Sequence, residues 1–207
     1  MAVNRSHAPQ QLVFSLKGLS NTKESRPRTP IRLVIPPRSR REVVRLWPAI
    51  AGYPNRWSSS FNSFNGDPSS RHSGYVYGLP FQPFQSFSVS QAFGGAFSHH
   101  YPYSYHVVDI PMPVGTLITA ARGGKVIAIE QGNISSGTRK ELLDKVNYIS
   151  VLYSDGTFAD YAHPHFVVYK TFGSSVRSVP FVFEAGKPFK GPVLVEVISE
   201  KHGEEVA

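Results

Sequence analysis

Apolar and polar positions along this chain follow a period of two more often than a period of 3.6. "QLVFSLK" (Gln11–Lys17), "IRLVIPP" (Ile31–Pro37) and "REVVRLW" (Arg41–Trp47) each read as a strand. Polar or proline-rich segments punctuate them, "NTKESRPRTP" (Asn21–Pro30) being a turn region. "GTLITAARGGKVIAIEQG" predicts two short strands around Gly123 and Gly124, and "NYISVLYSDGTFADYAH" predicts an antiparallel pair turning at Asp155-Gly156. "RKELLDKV" alone shows helical spacing, through Leu142, Leu143 and Val146. Residues 58–74, "SSSFNSFNGDPSSRHSG", lack periodicity and read as loop or linker.

Composition sharpens this into an all-β, mostly antiparallel fold. Aromatics make up 13% of the 207 residues beside 17 Gly and 17 Pro, a mixture that suits short strands and turns and breaks long helices. The aromatic, strand-like run that resumes at Tyr75 places a boundary there. The expected organisation is an N-terminal β domain with linker over 9–74, a second β domain over 75–198, and a tail over 199–207.

Charge and cysteine content narrow the chemistry. A net charge of +8 favours polyanionic partners, among them nucleic acid, anionic membrane surfaces and bacterial cell wall. With no cysteine, any metal must be held by His, Asp and Glu. No apolar run reaches the roughly 18 residues that span a bilayer. "MAVNRSHAPQQLVFSLKG" lacks a signal peptide's apolar core, which implies a cytosolic chain or a true N-terminus lying further upstream.

Two polar clusters carry candidate chemistry. In "FADYAHPHFVVYK", His163 and His165 share one strand face about 7 Å apart, either as a metal site or as a chance pair on a surface strand. "FSHHYPYSYHVVDIPMPVG" brings His99, His100, His106 and Asp109. Asp109 lies between Val108 and Ile110, where an ionised carboxylate is costly unless paired or metal-bound.

The segment "SVSQAFGGAFSHHYPYSYHVVDIPMPVGTLITAARGGKVIAIEQG", followed by "NYISVLYSDGTFADYAH", resembles the LytM or lysostaphin-type zinc metallopeptidases (peptidase family M23). More narrowly, it resembles the branch in which a serine-histidine pair precedes a "YAxDFxMPxGTPVxAAR" motif. The likeness spans roughly residues 75 to 184, and "IRLVIPPRSRREVVRL" and "YVYGLPF" resemble the small β domain that precedes the peptidase domain in that branch. The resemblance implies a small sandwich-like N-terminal β domain and a shortened, duplicated-hybrid-motif-like peptidase domain.

It also implies a site. His99 matches the first zinc-binding histidine, with His100 as the alternative, and Asp109 matches the zinc-binding aspartate. His165 matches the second histidine of an HxHF motif, and His163 its catalytic neighbour that orients or deprotonates water. His106 falls at a packing or rim position. In the family several tens of residues separate the "YAH" and HxH motifs; here "DYAHPHF" joins them, so His163 stands in both roles.

The implied cofactor is Zn2+. The implied activity is endopeptidase cleavage of peptidoglycan cross-links, with Tyr101, Tyr103 and Tyr105 along the substrate groove and a location in the cell envelope or outside the cell. The alternative within the resemblance is a degenerate module that binds peptidoglycan or regulates another hydrolase. Nucleic acid is not an expected partner.

Overall fold

The structure is a computed structural model and describes residues 1–26, 28–133, 146–162, 165–172, 175–184 and the backbone of 195–198. Every regular element among the described residues is a β-strand, in largely antiparallel sheets, so the all-β expectation holds. No described helix is long and apolar enough to cross a membrane. The helical spacing of "RKELLDKV" falls almost wholly outside the described residues. The chain divides into two compact units, Met1–Pro68 with Thr171–Ser175, and Ser69–Lys170 with Val176–Ala207.

Unit 1 contains β1 (Ala2–Asn4), β2 (Gln10–Ser20), β3 (Thr22–Glu24), β4 (Ile31–Ile35), β5 (Ser39–Arg41), β6 (Leu46–Pro48) and β7 (Arg56–Asn65). A three-stranded sheet runs β4-β2-β7, and β1-β5 and β3-β6 form two-stranded ribbons. Alternation puts Leu12 and Phe14 on the same sheet face as Ile31, Leu33 and Ile35, and Val43 and Val44 complete this small core.

Three local expectations are corrected here. "NTKESRPRTP" contributes the short strand β3, because Thr22–Glu24 finds a ladder partner in Leu46–Pro48. "REVVRLW" is broken between β5 and β6, where Val43 turns inward to the core instead of continuing a ladder. Much of the loop expected over 58–74 is strand β7, since β2 is long enough to template it from Gln10↔Asn65 to Ser20↔Arg56.

Unit 2 contains β8 (Val76–Tyr77), β9 (Ser86–Val89), β10 (Val108–Asp109), β11 (Lys125–Glu130), β12 (Tyr148–Leu152), β13 (Phe158–Ala162), β14 (His165–Phe172), β15 (Ser175–Ser178), β16 (Val182–Phe183) and β17 (Val195–Ile198). The main sheet runs β10-β14-β13-β12-β11, with β15 on β14. The Asp155-Gly156 turn joins β12 to β13 as expected, with Gly156 at φ 79°.

Of the two strands expected around Gly123-Gly124, only β11 forms. Residues 115–122 spend their backbone groups elsewhere: Gly78 donates to the Ala121 carbonyl, Thr119 to the Pro80 carbonyl, and the Ala121 amide to the Tyr161 hydroxyl. The core packs Tyr77, Phe81, Phe166, Phe181 and Phe183 against Val108, Ile110, Val151 and Val168. Ring centroids of Phe166, Phe181 and Phe183 lie 5.1 to 5.3 Å apart.

Candidate metal centre

Strand periodicity explains why a carboxylate stands in "VVDIPM". Val108 and Ile110 face the core with no exposure, so Asp109 faces the opposite side of β10. On β14 the same rule buries Phe166 and turns His165 to that side. Asp109 and His165 are direct partners in the β10-β14 pairing, which makes their side chains neighbours. His99 arrives from the loop between β9 and β10, through Gly94 at φ 70° and a bond from the His99 amide to the Gly95 carbonyl.

His99, Asp109 and His165 each offer one ligand atom, and these atoms lie within 4.8 Å of one another. Asp109 Oδ1 is 3.2 Å from His99 Nε2 and 2.5 Å from His165 Nδ1. Both His99, 1% exposed, and Asp109 are buried, while His165 is half-buried and forms the open side. Burial pushes the Asp109 carboxyl up, but His165 and His99 outweigh it and hold the group below the usual carboxylate range.

The tautomer of His99 follows from its other nitrogen. Nδ1 lies 2.9 Å from the Ala92 carbonyl, which only accepts, so Nδ1 carries the proton. Nε2 is then the ring nitrogen that faces the Asp109 carboxylate oxygen. Among the described residues neither His99 Nε2 nor Asp109 Oδ1 makes a regular hydrogen bond, although the two atoms lie 3.2 Å apart. A cation or a proton placed between them would satisfy both atoms.

The donor set fits zinc. Two imidazole nitrogens and a carboxylate oxygen are a three-ligand set that leaves a fourth tetrahedral position open. Ligands about 2.1 Å from one ion sit about 3.4 Å apart, near the 3.2 Å between His99 Nε2 and Asp109 Oδ1. The 2.5 Å His165 contact is closer than that, so the two side chains would have to part by about 1 Å to share an ion.

Gln91 completes the surroundings of Asp109 and was not singled out by the sequence. It bridges to Asp109 in the backbone, donates from Nε2 to Asp109 Oδ2 at 3.1 Å and to Ser98 Oγ at 2.9 Å, and accepts from the Phe97 amide. A neutral amide in "SVSQAFGG" carries no charge or spacing signal. Only the adjoining Gly94-Gly95 turn hints at it.

The other expected residues fall in distinct places. His100 is exposed and lies against Tyr101 with tilted rings and centroids 4.2 Å apart, which separates it from the buried His99. His106 is a packing residue, edge-on to Phe93 at 5.1 Å, with Nδ1 3.1 Å from the Ser178 carbonyl. Burial lowers its pKa despite that carbonyl. Tyr101, Tyr103 and Tyr105 are exposed on the loop between His99 and Asp109, the first two with parallel rings 5.5 Å apart. His163 lies outside the described residues.

Beside His165 is an apolar cleft of about 40 Å³, lined among others by Pro80, Ile110, Met112, Ile118 and Tyr161. No protein-family model matches the chain, and no characterised protein or solved structure shows significant similarity to it.

Proposed function

We propose that this protein is a zinc-dependent endopeptidase acting on the peptide cross-links of cell-wall peptidoglycan, with zinc held by His99, Asp109 and His165. The observation that carries the reading is the convergence of His99, Asp109 and His165, whose ligand atoms lie within 4.8 Å of one another with neither His99 Nε2 nor Asp109 Oδ1 making a regular hydrogen bond, a cluster a divalent cation would satisfy. When bound, zinc supplies Lewis acidity and lowers the pKa of a coordinated water from about 15.7 to about 7.

The chain's own groups prepare that chemistry. The Ala92 carbonyl fixes the His99 ring, Gln91 holds the Asp109 carboxylate, and the half-buried His165 leaves one side open to substrate. His163 is the proposed general base, two residues from His165 in the chain.

The test is metal content followed by turnover. Protein dialysed against zinc is expected to retain one ion per chain, Asp109→Ala and His165→Ala to retain none, and the loaded protein to release peptides from purified cell wall. Zinc that remains after Asp109→Ala overturns the site. Stoichiometric zinc without peptide release overturns the enzyme and leaves a peptidoglycan-binding module.

A further inference from the structure

The net charge is not shared between the two units. Residues 1–68 contain 11 of the 22 Lys and Arg but only 3 of the 14 Asp and Glu, and Thr171–Ser175 is uncharged. Unit 1 therefore carries the whole +8 and unit 2 is formally neutral. Nine of the 11 cations are arginine, whose planar fork matches phosphate oxygens in a bidentate way that lysine cannot.

Three of these arginines converge. The β1-β5 ribbon pairs Val3 with Arg40 and Asn4 with Ser39. One step further Arg38 donates its amide to the Ser6 carbonyl, which sets Arg38 beside Arg5. Arg5, Arg38 and Arg40, with Val3, Asn4 and Ser39, line an open concavity of about 310 Å³.

Among the described residues no carboxylate pairs with any of the three arginines; the ion pair found in unit 1 is Arg45 with Glu42. Gathering like charges without a counter-charge works against folding, so the arrangement asks for an anion. Arg38 adds a second, independent observation. Its backbone sits at φ 51°, a conformation non-glycine residues seldom adopt and one that recurs at ligand clamps. Its Nη2 donates to His7 Nε2 at 2.5 Å, which orients the guanidinium.

The base of the ribbon is also built to keep its shape. Asn4 is buried, and its Nδ2 donates to the carbonyls of Ala8, Ile35 and Pro36 at 2.8 to 2.9 Å. Its Oδ1 accepts from the Ser6 amide and hydroxyl. The arginines therefore project from a fixed scaffold, which lowers the ordering cost of binding.

We infer that the concavity formed by Arg5, Arg38 and Arg40 is a binding site for the phosphate groups of a polyanion other than single-stranded nucleic acid, of which polyphosphate is the simplest example. The arginine forks suit phosphate and carboxylate alike, so the poly-glutamate competitor decides between them. Single-stranded nucleic acid is disfavoured because no aromatic ring lines the concavity to stack a base, the contribution on which single-strand binders rely.

The experiment uses the whole chain and inorganic polyphosphate as the probe, with an oligonucleotide and poly-glutamate of similar charge as competitors, at about 150 mM salt. Replacing Arg5, Arg38 and Arg40 together by Gln is expected to weaken polyphosphate binding about tenfold or more and to flatten its salt dependence. The control is Arg26, Arg28 and Arg32 together replaced by Gln. It has the same net charge and keeps its affinity within about twofold of the parent if the concavity is the site.

Equal losses in both variants overturn the site and reduce the effect to bulk charge. An oligonucleotide or poly-glutamate that binds as tightly as polyphosphate overturns the assigned ligand. Arg40→Gln alone, at an exposed position, gives the same readout at smaller amplitude should the triple variant not fold.

Discussion

Gln91 Nε2 donates to Asp109 Oδ2 at 3.1 Å, leaving Oδ1 as the carboxylate oxygen that faces His99 and His165. Outer partners of this kind typically contribute 10- to 100-fold to metal affinity. Gln91→Leu is therefore expected to lower zinc affinity by about tenfold in a chelator-competition titration, with little change in melting temperature of the metal-free protein. Unchanged affinity would show that Gln91 only fills space.

Gly95 tests the same relationship from the other side. A Cβ there would lie 2.2 Å from Gln91 Cγ and 2.7 Å from its Cδ, so the amide must move away. Gly95→Ala is expected to mimic Gln91→Leu in zinc affinity, and the double variant to be no worse than either, since both act through one contact. Additive losses would mean that the two residues act independently.

How far the sequence discloses this arrangement depends on the kind of signal each element carries. The β12-β13 hairpin is legible because Asp155-Gly156 is a strong turn and the flanking residues alternate. β7 is not, because its Ser and Asn positions are mostly exposed and its ladder is imposed by β2. "TLITAAR" misleads in the opposite sense: it is apolar because Thr119 to Ala121 are buried, yet they bond to residues 78–80 and Tyr161 instead of a strand. At the site, Asp109 announces itself as a carboxylate in an apolar run. Spacing cannot separate His99 from His100, whereas burial does. That His99, Asp109 and His165 belong together is implied by the family resemblance and not by spacing, because it depends on a β10-β14 register between residues more than fifty apart.

A second buried polar pair anchors the turn of that hairpin. Arg122 Nη1 donates to Asp155 Oδ2 at 2.7 Å, both side chains are under 10% exposed, and the guanidinium lies 4.4 and 4.8 Å from the ring centroids of Tyr75 and Tyr153. Removing one partner strands the other charge in the interior. Arg122→Ala is expected to cost about 3 to 5 kcal/mol in urea unfolding, and the Arg122→Ala, Asp155→Ala double variant distinctly less than the sum of the singles. A cost below about 1 kcal/mol would place the pair with ordinary surface ion pairs.

Asp160 gives the fold a pH dependence of known sign. It pairs with Ser150 across β12 and β13, accepts a hydrogen bond from the Ser150 hydroxyl, and is pushed by burial up to about 6. In the unfolded chain the same group titrates near 3.9. Below about pH 4 both states are protonated and Asp160 contributes no pH dependence. Between about 4 and 6 the unfolded chain gives up its proton first, so stability falls as pH rises through that window and levels off above it. The loss has an upper bound of about 3 kcal/mol. Asp160→Asn removes the titrating group, so the stability of this variant relative to the parent should grow from about pH 4 to about pH 6 in denaturant unfolding and then stay constant. A difference that is flat across the window, or that shrinks with rising pH, would show that the carboxylate is ionised without penalty in the folded protein.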